Sequence, residues 1–374
     1  MRILILSCNT GEGHNSCAKA LKEVFDIRGH YCIIEDALAF VSRSATKVIS
    51  KGHTTIYRHF PGVFRRGYLY AENHPNAYRE RSAIYNYFCS GKQRLADYID
   101  SRDFDVVICT HTFAGIMLTE TKKICSKDFY SAFVVTDYTC SPTFEISCLD
   151  VYFIPDSTLK KDFADNGIPE SKLISSGIPI RQMFFTDMEK SHAKKAEGIG
   201  ITSKHLLVMS GSMGCGPIRQ IVSLISKVLS ENEEMTVICG TNKRMQKALG
   251  KRYRNISNVH IRGYVSNISR LMDSAEVYLT KPGGISVTEA KRKRLPMVFA
   301  DAVAGCEEYN LRFFIEKGCA VSDKNIVLLT QKCISLLRDE KKRSTLSEKL
   351  GELDDKNSAQ YICDYISDRV LLRG

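Results

Sequence analysis

Where strand-like runs of this sequence hand over to helix-like ones, glycines, hydroxyls and ionisable side chains collect. The first such turn, Ser7-Cys-Asn-Thr-Gly11-Glu-Gly13-His14, joins the apolar run 3–7 to a helical stretch at 18–25. A Gly-rich turn ahead of a helix lets backbone N–H groups and the helix dipole meet an anion or a reacting oxygen closely. It lacks the Gly-Lys-Ser/Thr ending of a P-loop and the third glycine of Gly-x-Gly-x-x-Gly. A second turn, Ser210-Gly211-Ser212-Met213-Gly214-Cys215-Gly216-Pro217, exposes N–H and hydroxyl donors where a diphosphate fits, and Pro217 suits the first turn of a helix. The third, Lys281-Pro282-Gly283-Gly284-Ile285-Ser286-Val287-Thr288-Glu289, sets Glu289 one turn into a helix, where a carboxylate can accept two ribose-type hydroxyls. Downstream, Gly305-Cys306-Glu307-Glu308-Tyr309-Asn310 places polar side chains at another helix start. For the first turn the competing reading is an ordinary surface histidine at a helix start, and for the second a tight connection with no ligand.

Parallel sheets are the elements that position such turns. Apolar, β-rich runs recur at 3–7, 31–35, 105–110, 132–136, 151–155 and 173–176, then at 206–210, 236–239, 259–263, 277–280 and 297–300. Short runs buried on both faces and separated by helix-length segments predict βαβ units. The fold class is therefore α/β with two doubly wound domains, and Gly-rich turns at strand ends point to a cleft at the carboxyl edge of a sheet. The strand ending in Ser176-Gly-Ile-Pro-Ile-Arg181 and the polar stretch 186–204 set the boundary, giving domains 1–180 and 181–374.

Composition agrees with this class. A chain of 374 residues, 44% apolar and 25% charged, suits two globular domains. No apolar run approaches the roughly 18 residues of a spanning helix. The N-terminus reads as a first strand of a cytoplasmic protein rather than a signal peptide. Fourteen cysteines are scattered without Cys-x-x-Cys spacing and read as buried free thiols. The net charge of +11 is concentrated: residues 41–94 hold ten Lys/Arg against Glu72 and Glu80, with nine aromatics among them. Cations interleaved with aromatics suit an anionic membrane surface or nucleic acid, and a solvated helical face is the bland alternative.

Taken together, Thr10-Gly-Glu-Gly-His14, Val135-Thr-Asp137, Gly177-Ile-Pro-Ile-Arg181, Gly211-Ser-Met-Gly214, Gly263-Tyr-Val265, Lys281-Pro-Gly-Gly284 with Glu289, and Gly305-Cys-Glu-Glu-Tyr-Asn310 resemble a family of GT-B glycosyltransferases. That family contains monogalactosyldiacylglycerol synthase, the processive diacylglycerol glucosyltransferases and the lipid II-forming N-acetylglucosaminyltransferase. The Thr-Asp and Gly-Ile-Pro-Ile-Arg matches favour the diacylglycerol branch.

The resemblance implies two Rossmann-like domains facing across a cleft, the first receiving the acceptor and the second a UDP-sugar. A last helix, about 357–372, packs back on the first domain. Tyr264 and Val265 would hold uracil, Glu289 the ribose, Ser212 and Arg181 the diphosphate, and Glu307 with Asn310 the sugar hydroxyls. Gly211, Met213, Pro282, Gly283, Gly284 and Ser286 complete the donor side; Gly11, Gly13, His111 and Glu145 stand on the acceptor side. The implied reaction inverts the anomeric carbon without a metal or other cofactor, and His14 and Asp137 are the candidates for the base that such chemistry requires. Expected partners are UDP-glucose or UDP-galactose, diacylglycerol or a related lipid, and an anionic membrane surface at the inner face of the cell membrane, with no nucleic acid. Polyprenyl-linked or soluble acceptors, and a non-enzymatic UDP-sugar or nucleic-acid binder, are the alternatives. Asp103-Phe-Asp105 resembles the metal-holding Asp-x-Asp of another glycosyltransferase class, but it precedes a strand of the first domain and reads as a solvated loop. The chain departs from its relatives at Cys306, where many have Gln, and at Ser141, Phe144 and Glu145, where they carry His and Trp.

Overall fold

The computed structural model describes all residues except 10, 43–51, 53–54, 57–60, 75–78, 80–81, 142, 210, 212–215, 301, 303–304 and 373–374. The chain divides into two compact units: Met1–Gln182 with Ala304–Cys306 and Lys356–Gly374, and Met183–Val303 with Glu307–Asp355.

The first unit is built on six parallel strands, β1 (Arg2–Ser7), β2 (Tyr31–Asp36), β3 (Val106–Cys109), β4 (Tyr130–Val134), β5 (Val151–Ile154) and β6 (Leu173–Ser175), in the order β2-β1-β3-β4-β5-β6. Its helices are α1 (Glu12–Ile27), α2 (Ala37–Val41), α3 (Pro61–Asn73), α4 (Ala83–Cys89), α5 (Lys92–Arg102), α6 (Thr112–Lys122), α7 (Lys160–Asp165) and α16 (Ser358–Leu371). Ile3, Leu4, Ile5 and Leu6 are all fully buried, which explains why β1 reads as a continuous apolar run rather than an alternating one. The chain leaves β1 toward β2 on one side, then returns to place β3 on the other. The carboxyl ends of β1 and β3 are thus a topological switch point, where the following loops splay apart and leave a crevice. Helix α16 packs beside α1: Asp364 pairs with Arg28 at 3.1 Å, and Tyr365 meets Phe153 edge-on at 5.4 Å. Gly177 has a positive φ of +78°, and a Cβ there would lie 2.5 Å from Ser358 Oγ, so this motif glycine lets the helix seat.

The second unit repeats the plan with β7 (Lys204–Met209), β8 (Glu233–Ile238), β9 (Val259–Arg262), β10 (Val277–Thr280), β11 (Met297–Phe299) and β12 (Ala320–Ser322), in the order β12-β11-β10-β7-β8-β9. Its helices are α8 (Lys190–Glu197), α9 (Ile218–Ile225), α10 (Lys243–Tyr253), α11 (Ile268–Ser274), α12 (Gly284–Arg292), α13 (Cys306–Glu316, its first residue assigned to the other unit), α14 (Ile326–Arg338) and α15 (Glu340–Glu352). Its switch point lies between β7 and β10, whose ends register as Met209 opposite Thr280. Strand β8 begins three residues earlier than its apolar run because Glu233, though buried, is held by Arg338 at 2.7 Å. His205 is fully buried on β7, with Nδ1 3.0 Å from Ser274 Oγ and Nε2 2.8 Å from Thr236 Oγ1. Burial lowers its pKa to about 4.

The described cysteines are free thiols, most of them buried. Asp103 pairs with Lys127 and Asp105 accepts from the Arg2 backbone N–H at 2.7 Å, so the Asp-x-Asp look-alike is tied into the strand base. Among the described residues no group of three or more His, Cys, Asp or Glu side chains is placed to hold a metal ion.

Candidate functional site

The first unit gathers its predicted residues at the β1/β3 switch point. Gly11 caps α1 with extended torsions (φ −171°, ψ 155°) and no side-chain cap, and a Cβ there would meet nothing within 4 Å. Neither backbone strain nor packing within the described structure demands a glycine, so what it provides is open approach to the first N–H groups of α1. A chain of bonds shapes this turn: Ser7 Oγ donates to Asn15 Oδ1 at 2.7 Å, Asn15 Nδ2 to Asn9 Oδ1 at 2.9 Å, and Asn9 Nδ2 to Asp36 Oδ2 at 2.9 Å.

Gly13 and His14 occupy the first turn of α1. His14 Nδ1 lies 2.7 Å from the carbonyl oxygen of Thr110, at the end of β3. A carbonyl only accepts, so Nδ1 carries the proton and, in the neutral ring, Nε2 bears the lone pair. The same Nδ1 is 3.1 Å from Thr136 Oγ1, whose hydroxyl donates onward to Asp137 Oδ2 at 3.4 Å. The two residues that sequence left as alternative bases are therefore joined through Thr136. His111 caps α6: its Nδ1 accepts from the Phe113 N–H at 3.1 Å, so the neutral ring has its proton on Nε2. The His14 and His111 rings meet edge-on at 4.6 Å. One imidazole thus offers a proton acceptor and its neighbour a donor.

Beyond Asp137 the chain is strained. Thr143 sits at φ +84°, in the left-handed region that a β-branched residue rarely adopts, and among the described residues its buried hydroxyl has no hydrogen-bond partner. It opens the short turn Phe144–Ile146 that carries the half-buried Glu145. The two departures noted from the relatives' pattern meet here: Cys306 Sγ lies 3.3 Å from Ser141 Oγ and 3.5 Å from Tyr68 Oη. Burial, with the thiol beside it, pushes the Tyr68 phenol well above its ordinary pKa. Arg181 also lies in this unit, its Nε donating to Glu23 Oε1 of α1 at 2.8 Å.

In the second unit Gly211 follows β7 with φ +63°, and Lys281 follows β10. A Cβ on Gly211 would lie 2.8 Å from Lys281 Cε, so the glycine gives the lysine its path across the switch point. Lys281 Nζ reaches Glu307 Oε1 at 2.5 Å, both side chains largely buried. Gly283 caps α12 without a side-chain bond. By contrast α10, α11, α14, α15 and α16 each begin at an Asn or Asp whose side chain accepts a first-turn N–H. The N-terminus of α12, without a side-chain cap and close to the Lys281–Glu307 pair, is a place where backbone N–H groups can meet an anion. Gly284 and Glu289 are buried within α12, while Ser286 Oγ is engaged by Tyr278 Oη at 2.7 Å. Asn310 is fully buried and donates to the Pro282 carbonyl at 2.9 Å, so its amide braces the Pro-Gly-Gly turn. Tyr264 is exposed and Val265 half-buried just past β9. Ser212 and Met213 lie outside the described residues.

Sequence reasoning assigned no role to Thr110, Thr136 or Lys281. Thr136 and Lys281 sat within quoted motifs, whereas Thr110 acts through a backbone carbonyl that leaves no signature.

The basic, aromatic window 41–94 divides on folding. Tyr85 and Phe88 are buried, Phe88 stacking on Phe113 at 3.8 Å and Tyr85 donating to Glu120 at 2.9 Å. Arg65, Arg66, Val63, Leu69 and Tyr70 on α3 are exposed. Arg58 lies outside the described residues. Among the described residues no helix is long and apolar enough to cross a membrane.

Comparison with known proteins finds similarity along nearly the whole chain. Residues 14–180 match the model of the monogalactosyldiacylglycerol (MGDG) synthase family, and residues 218–351 that of the glycosyl transferases group 1. The processive diacylglycerol beta-glucosyltransferase of Bacillus pumilus is 27% identical over 372 residues, 98% of this chain and 95% of the relative. The Bacillus subtilis protein of that name is 26% identical over 98% of this chain and 94% of its own length. Among solved structures, Acinetobacter baumannii MurG aligns with a TM-score of 0.65 at 12% identity, over 98% of this chain and 99% of that one. A Staphylococcus aureus MnaA–UDP co-structure aligns with a TM-score of 0.67 at 13% identity, over 100% of this chain and 98% of that one.

The fold and these matches together define a glycosyltransferase of the GT-B class. Its residues 14–180 carry the domain described for monogalactosyldiacylglycerol synthase, and along nearly its whole length the chain is similar to the processive diacylglycerol beta-glucosyltransferases.

Proposed function

We propose that the protein transfers a hexose from a UDP-sugar, UDP-glucose in the first instance, to the hydroxyl of diacylglycerol, with inversion and without a metal ion. The observation that carries this reading is the His14 bond to Thr110 O, which leaves Nε2 as the basic nitrogen at a switch-point crevice. The similarity to processive diacylglycerol beta-glucosyltransferases supports diacylglycerol and glucose.

In this reaction His14 Nε2 takes the proton of the acceptor hydroxyl as its oxygen attacks the anomeric carbon, and the bond from that carbon to the UDP oxygen breaks on the opposite face. The imidazolium that forms is stabilised through Nδ1–H by the Thr110 carbonyl and by Thr136, which relays to the Asp137 carboxylate. Asp137 is thus a positioning group rather than the base. Charge developing on the departing UDP meets the N–H groups of α12 and the Lys281 ammonium. Glu289 takes the ribose, Tyr264 and Val265 the uracil, and Glu307 the sugar hydroxyls.

The protein works peripherally, at the cytoplasmic face of the cell membrane. The exposed Arg65, Arg66, Val63, Leu69 and Tyr70 of α3 support docking on an anionic surface, through charge and through shallow apolar insertion. The test is incubation of purified protein with anionic liposomes containing diacylglycerol and either UDP-glucose or UDP-galactose, with products read by mass spectrometry. Hexosyl-diacylglycerol is the expected product. UDP-sugar turnover only on a polyprenyl-linked or soluble acceptor overturns the lipid assignment.

A further inference from the structure

The second unit carries a charged surface that the proposed chemistry does not use. Between Glu234 and Asp273 the sequence has no acidic residue, yet it holds eight cations: Lys243, Arg244, Lys247, Lys251, Arg252, Arg254, Arg262 and Arg270. Three of these are occupied within the fold. Arg262 and Arg270 both bond to the buried carboxylate of Glu197, and Arg252 donates to Ser223 Oγ at 2.9 Å. The other five lie on α10, and Arg254, its C-cap, keeps helical torsions (φ −57°, ψ −27°).

Helix α10 buries Met245, Leu249 and Tyr253, a stripe spaced by four residues. At about 100° per residue, Lys243, Arg244, Lys247, Lys251 and Arg254 fall within an arc of roughly 100° centred opposite that stripe. All five are exposed, and among the described residues none of their side chains makes a hydrogen bond or an ion pair. They rise about 17 Å along the axis. Ile256, 39% exposed, lies two residues after the last of them. An ordinary solvated helix mixes both signs of charge, which lowers self-repulsion. This face carries one sign only, with an apolar side chain at its end.

We propose that the outer face of α10 is a docking surface for an anionic lipid bilayer, so that the donor-binding unit makes its own electrostatic contact with the membrane. The inference rests on the reading that the acceptor is a membrane lipid, and it adds a surface separate from the basic aromatic window of the first unit. A bilayer is the occupant favoured by the pattern. The cations lie in one shallow stripe with no exposed aromatic among them, which suits a plane of phosphates better than single-stranded nucleic acid, whose binding sites interleave aromatics for base stacking.

The test compares wild-type protein with the triple variant Lys247→Glu, Lys251→Glu, Arg254→Glu, whose changes lie beyond the first turn of α10. A charge-keeping control carries Lys247→Arg, Lys251→Arg and Arg254→Lys. Co-sedimentation is measured with phosphatidylglycerol vesicles and with phosphatidylcholine vesicles, UDP affinity by calorimetry, and hexosyl transfer on diacylglycerol in neutral detergent micelles. The expected result is a fall of at least about tenfold in partitioning to phosphatidylglycerol for the acidic triple, none for the control, and unchanged UDP affinity and micellar transfer in both. Partitioning of the acidic triple equal to wild type overturns the proposal. So does wild-type binding to a single-stranded oligonucleotide that exceeds vesicle binding and is lost in the triple, because the partner is then nucleic acid. Should wild-type protein transfer nothing to diacylglycerol in micelles yet bind vesicles through these charges, the acceptor assignment falls and the docking surface stands.

Discussion

The imidazole Nδ1 of His14 and the carbonyl oxygen of Thr110 are 2.7 Å apart, and this one bond decides which histidine nitrogen can take a proton. It joins the first turn of the helix after β1 to the end of β3, the two places that a parallel sheet with this strand order must separate. Fold and chemistry therefore meet in a single contact.

Because Thr136 stands between His14 and Asp137, removing its hydroxyl should weaken the base without disturbing the donor. Thr136→Val keeps the shape and deletes a hydrogen bond of about 1 kcal/mol, or roughly a fivefold loss of kcat. Asp137→Asn should cost more, because the imidazolium then loses a charge. Both should leave the KM for UDP-sugar unchanged, as steady-state kinetics will read; a rise in that KM with kcat intact would mean that the pair acts on the donor.

Lys281 and Glu307 form a largely buried ion pair. Lys281→Met removes the cation that pairs with the largely buried Glu307 carboxylate and that the proposed diphosphate would meet. With charged hydrogen bonds contributing about 1.5–3 kcal/mol, UDP affinity should fall roughly tenfold or more. Calorimetric titration with UDP checks this, and an unchanged affinity would place the diphosphate elsewhere.

Gly177→Ala tests a structural role rather than a catalytic one. The residue must hold φ +78°, and its Cβ would crowd Ser358 Oγ. Left-handed strain alone costs on the order of 1–2 kcal/mol, so the variant should unfold at lower denaturant. Pairing it with Ser358→Gly should recover the steric share only.

His205 makes stability depend on pH. Desolvation lowers its folded pKa from 6.5 to about 4, so the unfolded chain binds the extra proton between those values. Stability from this group is complete above pH 6.5 and is lost as pH falls toward 4, by up to roughly 3 kcal/mol. His205→Gln should flatten the difference in denaturant midpoint between pH 7 and pH 4.5. If the variant keeps the full wild-type slope, other groups account for the acid sensitivity.

Most of the sheet framework was legible because strands covered on both faces are written as unbroken apolar runs. Strand β12 was missed: Ala-Val-Ser is too short and mixed to signal one, and only pairing with β11 makes it a strand. Within the site, glycines and histidines stood out by residue type. The tautomer of His14 did not, since a backbone carbonyl 96 residues away sets it. Nor did the burial of Asn310, whose amide donates to the Pro282 carbonyl. The window 41–94 showed its charge plainly, but not that Tyr85 and Phe88 turn inward beneath it.

The most direct test of the account is single-turnover transfer from UDP-glucose to diacylglycerol by His14→Gln protein, with UDP affinity measured on the same sample. The account predicts a loss of about 10²-fold or more in rate, the usual worth of a positioned base, with UDP binding intact. Transfer at the wild-type rate would contradict the assignment of His14 as the base and, with it, the site built around the β1/β3 switch point.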